Sequence, residues 1–219
     1  MSKASVTHMV DRKIVKSTGP VAIADAGGHA NALTIVGVSY KPRKMDKFHR
    51  DARALRSGTV DASVQAFLLG ADGKVISEPG LVYYNQPKFA DGVVELVPVG
   101  PLSDFHSTIN MKLNCIPEGV ERIRLVSSVH EAKERGHHIG IFGVMALYIV
   151  DAGKKPLTIQ LYEGFGFGAG AVVLGDLFVA DGKWQFLASG DIIVDGLPAL
   201  CSTHGIEVKE EEASAEAAA

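Results

Sequence analysis

Apolar and polar residues alternate along much of the chain in short segments, which is the period expected of half-buried β-strands. The stretch "VDASVQAFLLGADGKVISEPGLVYYNQ" (60–86) shows the pattern: an alternating arm ends in a continuous apolar run, and Asp72-Gly73 follows it. Asp-Gly is a typical pair for a tight hairpin turn. The same pair recurs at Asp91-Gly92 and Asp181-Gly182. We therefore predict tight turns at all three places, with positive φ at each glycine.

Segments of this kind follow one another closely, and helical periodicity is scarce. Trp184 and Phe186 are two positions apart, so we expect them on one buried face. Many short strands separated by turns are typical of an antiparallel sandwich or barrel. We predict an all-β fold, an antiparallel two-sheet β-sandwich with a short C-terminal helix. The predicted strands are 32–40, 61–70, 80–85, 89–97, 106–114, 122–130, 143–150, 157–163 and a hairpin over 170–193, with one helical turn in 116–122 and the helix in 196–205.

The ends of the chain differ from this middle part. Residues 1–30 are mixed in character and predict an N-terminal extension or arm, in which "RKIVKS" and "VAIADAGG" are candidate short strands. Residues 31–208 hold the predicted sandwich. Residues 209–219 are acidic and Ala-rich, which predicts a flexible tail because nothing in them is large enough to bury.

Composition narrows the function classes. Of the residues, 47% are apolar and 21% are charged, as in an ordinary globular core. The net charge of −3 offers no general attraction for nucleic acid. The longest apolar run, 139–150, is shorter than the about 20 residues of a membrane span. Cys115 and Cys201 stand in apolar surroundings, so both are expected to be buried, unpaired thiols of a reducing compartment. We expect a cytoplasmic protein, with virion association left open.

Three segments resemble functional motifs, and each also has a purely structural interpretation. The basic stretch 40–56 favours a solvated loop over a phosphate-binding patch. The Gly-rich stretch 164–175 precedes a strand instead of a helix, so it favours a flexible connection, with Phe165 and Phe167 capping the sandwich. The stretch 130–140 gathers His130, His137 and His138 with two glutamates, but its spacing differs from the helical zinc motif and favours a polar connection. No nucleophile elbow is present, and we expect no enzyme.

Several segments in the same order resemble the TerD family of tellurium-resistance and stress-response proteins. They are "DASVQAFLLGADGKV", "LVYYNQ", "IPEGVERIRLVSSVHEAKERGHHIG" and "LGDLFVADGKWQFLASGDIIVDGLPALCSTHGIEV". The resemblance spans about residues 32–208 and implies a β-sandwich, in agreement with the alternation and the turns.

The resemblance also implies a calcium site, at which family members use an Asp-x-Asp pair, the Asn of Asn-Gln and an acidic loop. Carried over to this chain, the metal ligands would be Asp61, Asn85 and Asp104, with Glu95 as a further carboxylate. The second Asp of the pair is Ser63 here, and the loop reads "GVVELVPVGPLSDFHSTI" (92–109). Calcium affinity depends on ligand charge. We therefore expect calcium binding to be weak or lost, no other cofactor, and residues 95–105 to pack on protein.

Two functions follow from the resemblance. The first is a non-enzymatic binding or scaffold module of the stress and tellurium-resistance type. The alternative is a structural or assembly subunit, in which apolar residues of the former acidic loop make contacts and the N-terminal arm reaches a neighbour. Both imply protein partners or a homo-oligomer rather than nucleic acid or a membrane.

Overall fold

Two antiparallel sheets of six strands each form a sandwich in the computed structural model. The model describes residues 19–25, 33–45, 49–99, 105–153, 155–165 and 168–207. The first sheet has the order β1-β12-β11-β8-β3-β4, and the second has the order β10-β9-β2-β7-β6-β5. The strands are β1 Val21–Asp25, β2 Leu33–Pro42, β3 Ala62–Leu69, β4 Leu81–Val82, β5 Lys88–Phe89, β6 Val94–Val97, β7 Ser107–Lys112, β8 Arg122–Val129, β9 Phe142–Val150, β10 Pro156–Glu163, β11 Ala171–Ala180 and β12 Lys183–Ile193.

The core lies between the sheets and is built by alternate strand residues. In β3, Val64, Ala66 and Leu68 face the second sheet and have no exposed surface. Phe67 and Leu69 point to the other face of the first sheet, where they pack under the C-terminal helix. Trp184 and Phe186 share the inner face and are both buried, which confirms their predicted placement. The predicted sandwich is therefore confirmed.

Three α-helices connect or cover the strands in the described residues: α1 Arg50–Ser57, α2 Ala132–Arg135 and α3 Gly196–Thr203. Helix α3 confirms the predicted C-terminal helix. Helix α1 corrects the loop expected within 40–56. It begins at His49, whose side chain accepts a hydrogen bond from the Asp51 N–H, and it ends at Gly58 in the left-handed conformation. None of the described helices is long and apolar enough to cross a membrane.

The three Asp-Gly pairs all place glycine at positive φ, as predicted: 74° at Gly73, 82° at Gly92 and 69° at Gly182. Asp181 also has positive φ, 52°, so the turn between β11 and β12 is the primed type that matches strand twist. The turn at Gly73 is built differently, because only its glycine enters this region and the turn closes through Gly73 N–H to Gly70 carbonyl.

Other expectations were wrong in detail. The strand expected over 80–85 is only Leu81–Val82, because Tyr83 and Gln86 exchange backbone hydrogen bonds in a tight turn. The helical turn expected in 116–122 is a turn closed by Val120 N–H on Pro117 carbonyl. Cys201 is buried as expected, and burial raises its pKa to about 11, whereas Cys115 is exposed; both thiols are free.

Segment 92–109 stands where the family has its acidic loop, and a residue at each of its two described ends packs on protein. Leu96, in β6, packs against the core between the sheets. Phe105 lies over Gly37 on the outer face of the second sheet, with its ring centroid 5.4 Å from that of Tyr148. A Cβ atom at Gly37 would come within 2.5 Å of the Phe105 ring, so the glycine makes room for it. Residues 100–104, including Asp104, lie outside the described residues, as do Phe167 and "RKIVKS".

Candidate functional site

One corner of the first sheet brings together two of the residues expected to bind metal. Asp61 precedes β3, and its carbonyl accepts a hydrogen bond of 2.8 Å from the His130 N–H just after β8. Asn85 lies in the tight turn after β4. Because β3 is antiparallel to β8, with Ala62 opposite Val129, its start lies beside the end of β8. Tyr84, the neighbour of Asn85, reaches the same place through its contact with the His130 ring. We call this corner, with residues 61, 63, 84, 85, 130 and 131, the β3 corner.

Aromatic rings form part of the surface of the β3 corner. The Tyr84 ring meets those of Tyr83 and His130 edge-on, with centroids 5.3 and 5.6 Å apart. The Tyr84 side chain is 54% exposed, whereas large apolar and aromatic side chains elsewhere in the described residues are mostly buried. An exposed tyrosine on a supported platform is suited to contact with another protein, because it offers apolar area and a polar tip.

Buried, uncharged side chains lie beneath the corner. Tyr40 and Ser127 join their hydroxyls at 2.9 Å, and Phe142 stacks on the Tyr40 ring at 4.7 Å. Burial raises the pKa of the Tyr40 hydroxyl, the bond to Ser127 opposes this, and the negative charge of Asp61 adds to the rise. Burial is the main cause of the raised pKa, so Tyr40 stays protonated.

Most polar groups around Asp61 already bind one another. Ser63 Oγ accepts from Gln65 Nε2 at 2.8 Å. Glu131, with its backbone at φ 46°, has one carboxylate oxygen 2.6 Å from Arg135 Nε and the other 3.3 Å from His130 Nε2. The bond to Arg135 is the main reason that the pKa of Glu131 is lowered. Glu131 is thus an ion-paired carboxylate, and no sequence signal had assigned it to the corner.

Oxygen atoms suited to calcium are few at the β3 corner. Asp61 and Asn85 are exposed, and Gln65, which is 1% exposed, has its Oε1 buried with no partner among the described residues. Glu95 is held 3.0 Å from Lys88 across the β5–β6 pair. The described residues contain no group of three or more His, Cys, Asp or Glu side chains that could hold a metal.

The histidine-rich stretch 130–140 serves a different purpose from a helical metal motif. Helix α2 ends at Arg135, so Glu134 and His138 do not share a helix face. His138 turns inward, where its Nε2 lies 3.3 Å from Asp51 Oδ2, and both side chains are buried. Arg50 Nη2 also donates to the Gly136 carbonyl at 2.9 Å. These contacts tie α1 to the connection after α2, and sequence reasoning missed them because Asp51 stands within a run of basic residues.

A second polar cluster lies on the outer face of the first sheet, where α3 ends. Arg124 Nε and Nη2 contact the two Asp176 carboxylate oxygens at 2.9 and 3.0 Å. His204 Nδ1 lies 2.7 Å from the Gly73 carbonyl, and since a carbonyl only accepts, this nitrogen carries the hydrogen. His204 Nε2 is then the acceptor that faces Arg124 Nη1 at 3.4 Å. Arg122 Nη1 donates to Asp176 Oδ2 at 3.1 Å. We call Gly73, Arg122, Arg124, Asp176 and His204 the His204 network.

The comparisons with known proteins can now be set beside this geometry. The sequence model of the TerD domain matches residues 22–204. The chain belongs to the TerD family. Among its relatives, the tellurium resistance protein TerD of Alcaligenes sp is 28% identical over 160 residues, which are 71% of this chain and 83% of that protein. General stress protein 16U of Bacillus subtilis is 27% identical over 181 residues, covering 80% of this chain and 88% of that protein.

Two further comparisons give a sequence relative and a structure of similar fold. Chemical-damaging agent resistance protein B of Clostridium acetobutylicum is 30% identical over 134 residues, covering 58% of this chain and 94% of that protein. The crystal structure of a homologue of telluride resistance protein (TerD) from Streptomyces coelicolor superposes with a TM-score of 0.53 at 14% identity, covering 80% of this chain and 99% of that one. At that identity the structural match supports the sandwich fold alone. The low identities are consistent with a divergent TerD member.

Proposed function

We propose that this TerD-family chain is a non-enzymatic binding or scaffold module of the stress and tellurium-resistance type, with calcium binding weak or lost. The observation that carries the proposal is the β3 corner, where Tyr84 is 54% exposed and is flanked by Tyr83 and His130. The polar neighbours of this aromatic surface bind one another, which leaves the tyrosine and Asp61 to face a partner.

The donor set of the corner does not fit a tight calcium site. Calcium takes about six to eight hard oxygen ligands, and its affinity rises with the number of anionic ones. Asp61 contributes one exposed carboxylate and Asn85 one neutral oxygen. Ser63 Oγ is engaged with Gln65, and Glu131 is ion-paired with Arg135. Cation binding here would have to compete with these contacts, so we assign the corner to protein recognition.

Calcium titration by calorimetry tests the metal part of this proposal. The full chain at physiological ionic strength is expected to give no saturable heat below millimolar calcium, and Asp61→Ala is expected to behave like the wild type. Micromolar affinity that disappears in Asp61→Ala, with Glu118→Ala as an exposed-carboxylate control, would overturn it.

Tellurite tolerance tests the recognition part. Expression in a tellurite-sensitive bacterium is expected to raise the tolerated tellurite concentration. Tyr84→Ala should abolish the gain at equal protein level, whereas Tyr84→Phe should keep it, because the ring supplies most of the contact area. Equal protection by Tyr84→Ala would exclude the β3 corner as the recognition surface.

A structural or assembly subunit is the second candidate. It is supported by apolar side chains that stay exposed at the end of β12, Ile192 at 41% and Val194 at 69%. Light scattering during size-exclusion chromatography separates the two candidates. A homo-oligomer that Val194→Asp dissociates would favour assembly, and a strict monomer at high concentration would count against it.

A further inference from the structure

Among the described residues, two sheet edges on the same side of the sandwich have no outer partner strand. Strand β1 pairs with β12 only from Val21 opposite Phe186 to Asp25 opposite Lys183, although β12 continues to Ile193. Residues 187–193 of β12 thus have no outer partner strand among the described residues. Strand β10, at the edge of the second sheet, pairs only with β9 in the described residues. Unpaired edges of this kind are templates for a further strand.

A groove of about 310 Å³ lies between these two edges. Residues 160–165 line one side, and Ser189, Gly190 and Ile192 line the other. Ile192 is 41% exposed, and Glu163 and Asp191 bring negative charge to the groove and its margin. Open backbone edges, an apolar side chain and carboxylates together suit an extended segment that carries both apolar and basic residues.

The chain itself leads such a segment towards the groove. Because β1 is antiparallel to β12, the chain that precedes Val21 runs in the direction of residues 187–193. Pro20 has no N–H to continue the β12 ladder, and the backbone bends at Gly19. The described part of the chain thus begins, at Gly19, on the side of β12 where the groove lies.

The length and charge of the preceding residues fit the groove. The sequence over 12–18 is "RKIVKST", with Ile14 and Val15 between basic residues. Seven extended residues span about 23 Å, as long as a strand of the size of β10. Arg12, Lys13 and Lys16 complement the charges of Glu163 and Asp191.

We propose that the groove is a strand-accepting site and that its resident is residues 12–18 of the same chain. The segment adds an extended strand between the open edges of β10 and β12. Its apolar pair covers Ile192, and its basic residues face Glu163 and Asp191. Any partner strand of the same chemistry must then displace this segment.

Peptide binding to a truncated chain tests this proposal directly. A chain that begins at Gly19 and a fluorescent peptide of residues 10–20 are compared by anisotropy with the full chain. The peptide is expected to bind the truncated chain and to bind the full chain at least tenfold more weakly, because its own segment occupies the groove. A peptide with Lys13→Glu and Lys16→Glu should lose binding. No binding of the unmodified peptide to a cooperatively folded truncated chain would overturn the proposal.

A matched pair of exposed apolar positions locates the site. Ile192→Arg in the truncated chain is expected to reduce peptide affinity at least tenfold, whereas Val194→Arg, two residues beyond and outside the groove lining, should leave it unchanged. Equal effects of the two substitutions would exclude the groove.

Cross-linking in the full chain covers the case in which the truncated chain does not fold. Val15→Cys with Ile192→Cys, in a Cys115→Ser background, is expected to form a disulfide within one chain under mild oxidation. A disulfide between two chains would overturn residency in the same chain and indicate arm exchange, and failure to form either disulfide would overturn the placement.

Discussion

The β3 corner and the His204 network are both polar clusters of the first sheet, yet they differ in what surrounds their charges. At the corner, Glu131 and Arg135 pair in the open, with side chains 47% and 42% exposed. In the network, Asp176 is 15% exposed, and it receives Arg122 and Arg124 together. The backbone of Gly73 and the ring of His204 complete the network.

This difference predicts different roles for the two clusters. Solvent screens the charges of the corner, so their pairing adds little stability and their side chains stay available to a partner. The network joins β8, β11, α3 and the turn at Gly73, elements that lie far apart in the chain, and it is partly shielded from water. We therefore expect substitutions in the network to change stability and substitutions in the corner to change recognition.

The largest expected effect is that of Asp176→Ala. Removal of this carboxylate leaves Arg122 and Arg124 side by side without a counter-charge. A buried ion pair that loses one partner costs about 3–5 kcal/mol. Because both arginines are partly exposed here, we expect about 2–3 kcal/mol less free energy of unfolding, measured by urea denaturation. Glu118→Ala removes an exposed carboxylate and should change it little; a similar loss in both variants would show a net-charge effect instead.

Gly73→Val is the next largest. No atom lies within 4 Å of a Cβ at this position, so the cost comes only from the φ of 74°, which a β-branched residue resists. We expect a loss of about 1–2 kcal/mol in the free energy of unfolding. Ala71→Val in the same turn is the matched control and should cost little. An unchanged melting temperature in Gly73→Val would mean that the turn adopts another conformation.

The pH dependence of stability tests His204. Burial lowers the pKa of His204, the Gly73 carbonyl opposes this, Arg124 and Lys74 lower it further, and Asp176 raises it. Below about pH 6.5 the unfolded chain therefore binds a proton that the folded chain does not, and stability falls as the pH falls. One such group contributes at most about 1.4 kcal/mol per pH unit.

Comparison of the wild type with His204→Gln between pH 7.5 and 5.5 isolates this contribution. His106 and His137 also have pKa values lowered by burial and contribute to both proteins. The variant should show a shallower fall in the free energy of unfolding. Parallel curves for the two proteins would contradict the assignment of a neutral His204.

The smallest expected effect is that of Glu131→Gln at the corner. Its carboxylate is exposed and bonded to an arginine on the same short helical segment, so solvent screening leaves no measurable change in thermal stability. Scanning calorimetry at low and at physiological salt checks this. A melting temperature that drops by several degrees would show that the corner is a stability element, like the network.

Much of the fold follows from local patterns in the sequence. Alternation and apolar runs predicted the long strands β2, β3, β8, β9 and β10. Strand side chains repeat every two residues, and strands such as β3 and β9 bury both faces. Asp-Gly pairs predicted positive φ at Gly73, Gly92 and Gly182, because glycine has no Cβ atom that would clash in this conformation. The resemblance to the TerD family pointed to Asp61 and Asn85, and the structure places both at one corner, while their role as ligands stays a prediction.

The short elements and the side-chain pairs were decided only by tertiary structure. Helix α1 was hidden in a basic run because its stability depends on the buried Asp51 meeting His138, which lies far along the chain. The contact of Arg124 with Asp176 spans 52 positions and exists because β8 pairs with β11 in one register. Local patterns report which face of a strand is apolar. Strand order and register determine which polar groups meet, and those are set by packing of the whole sandwich.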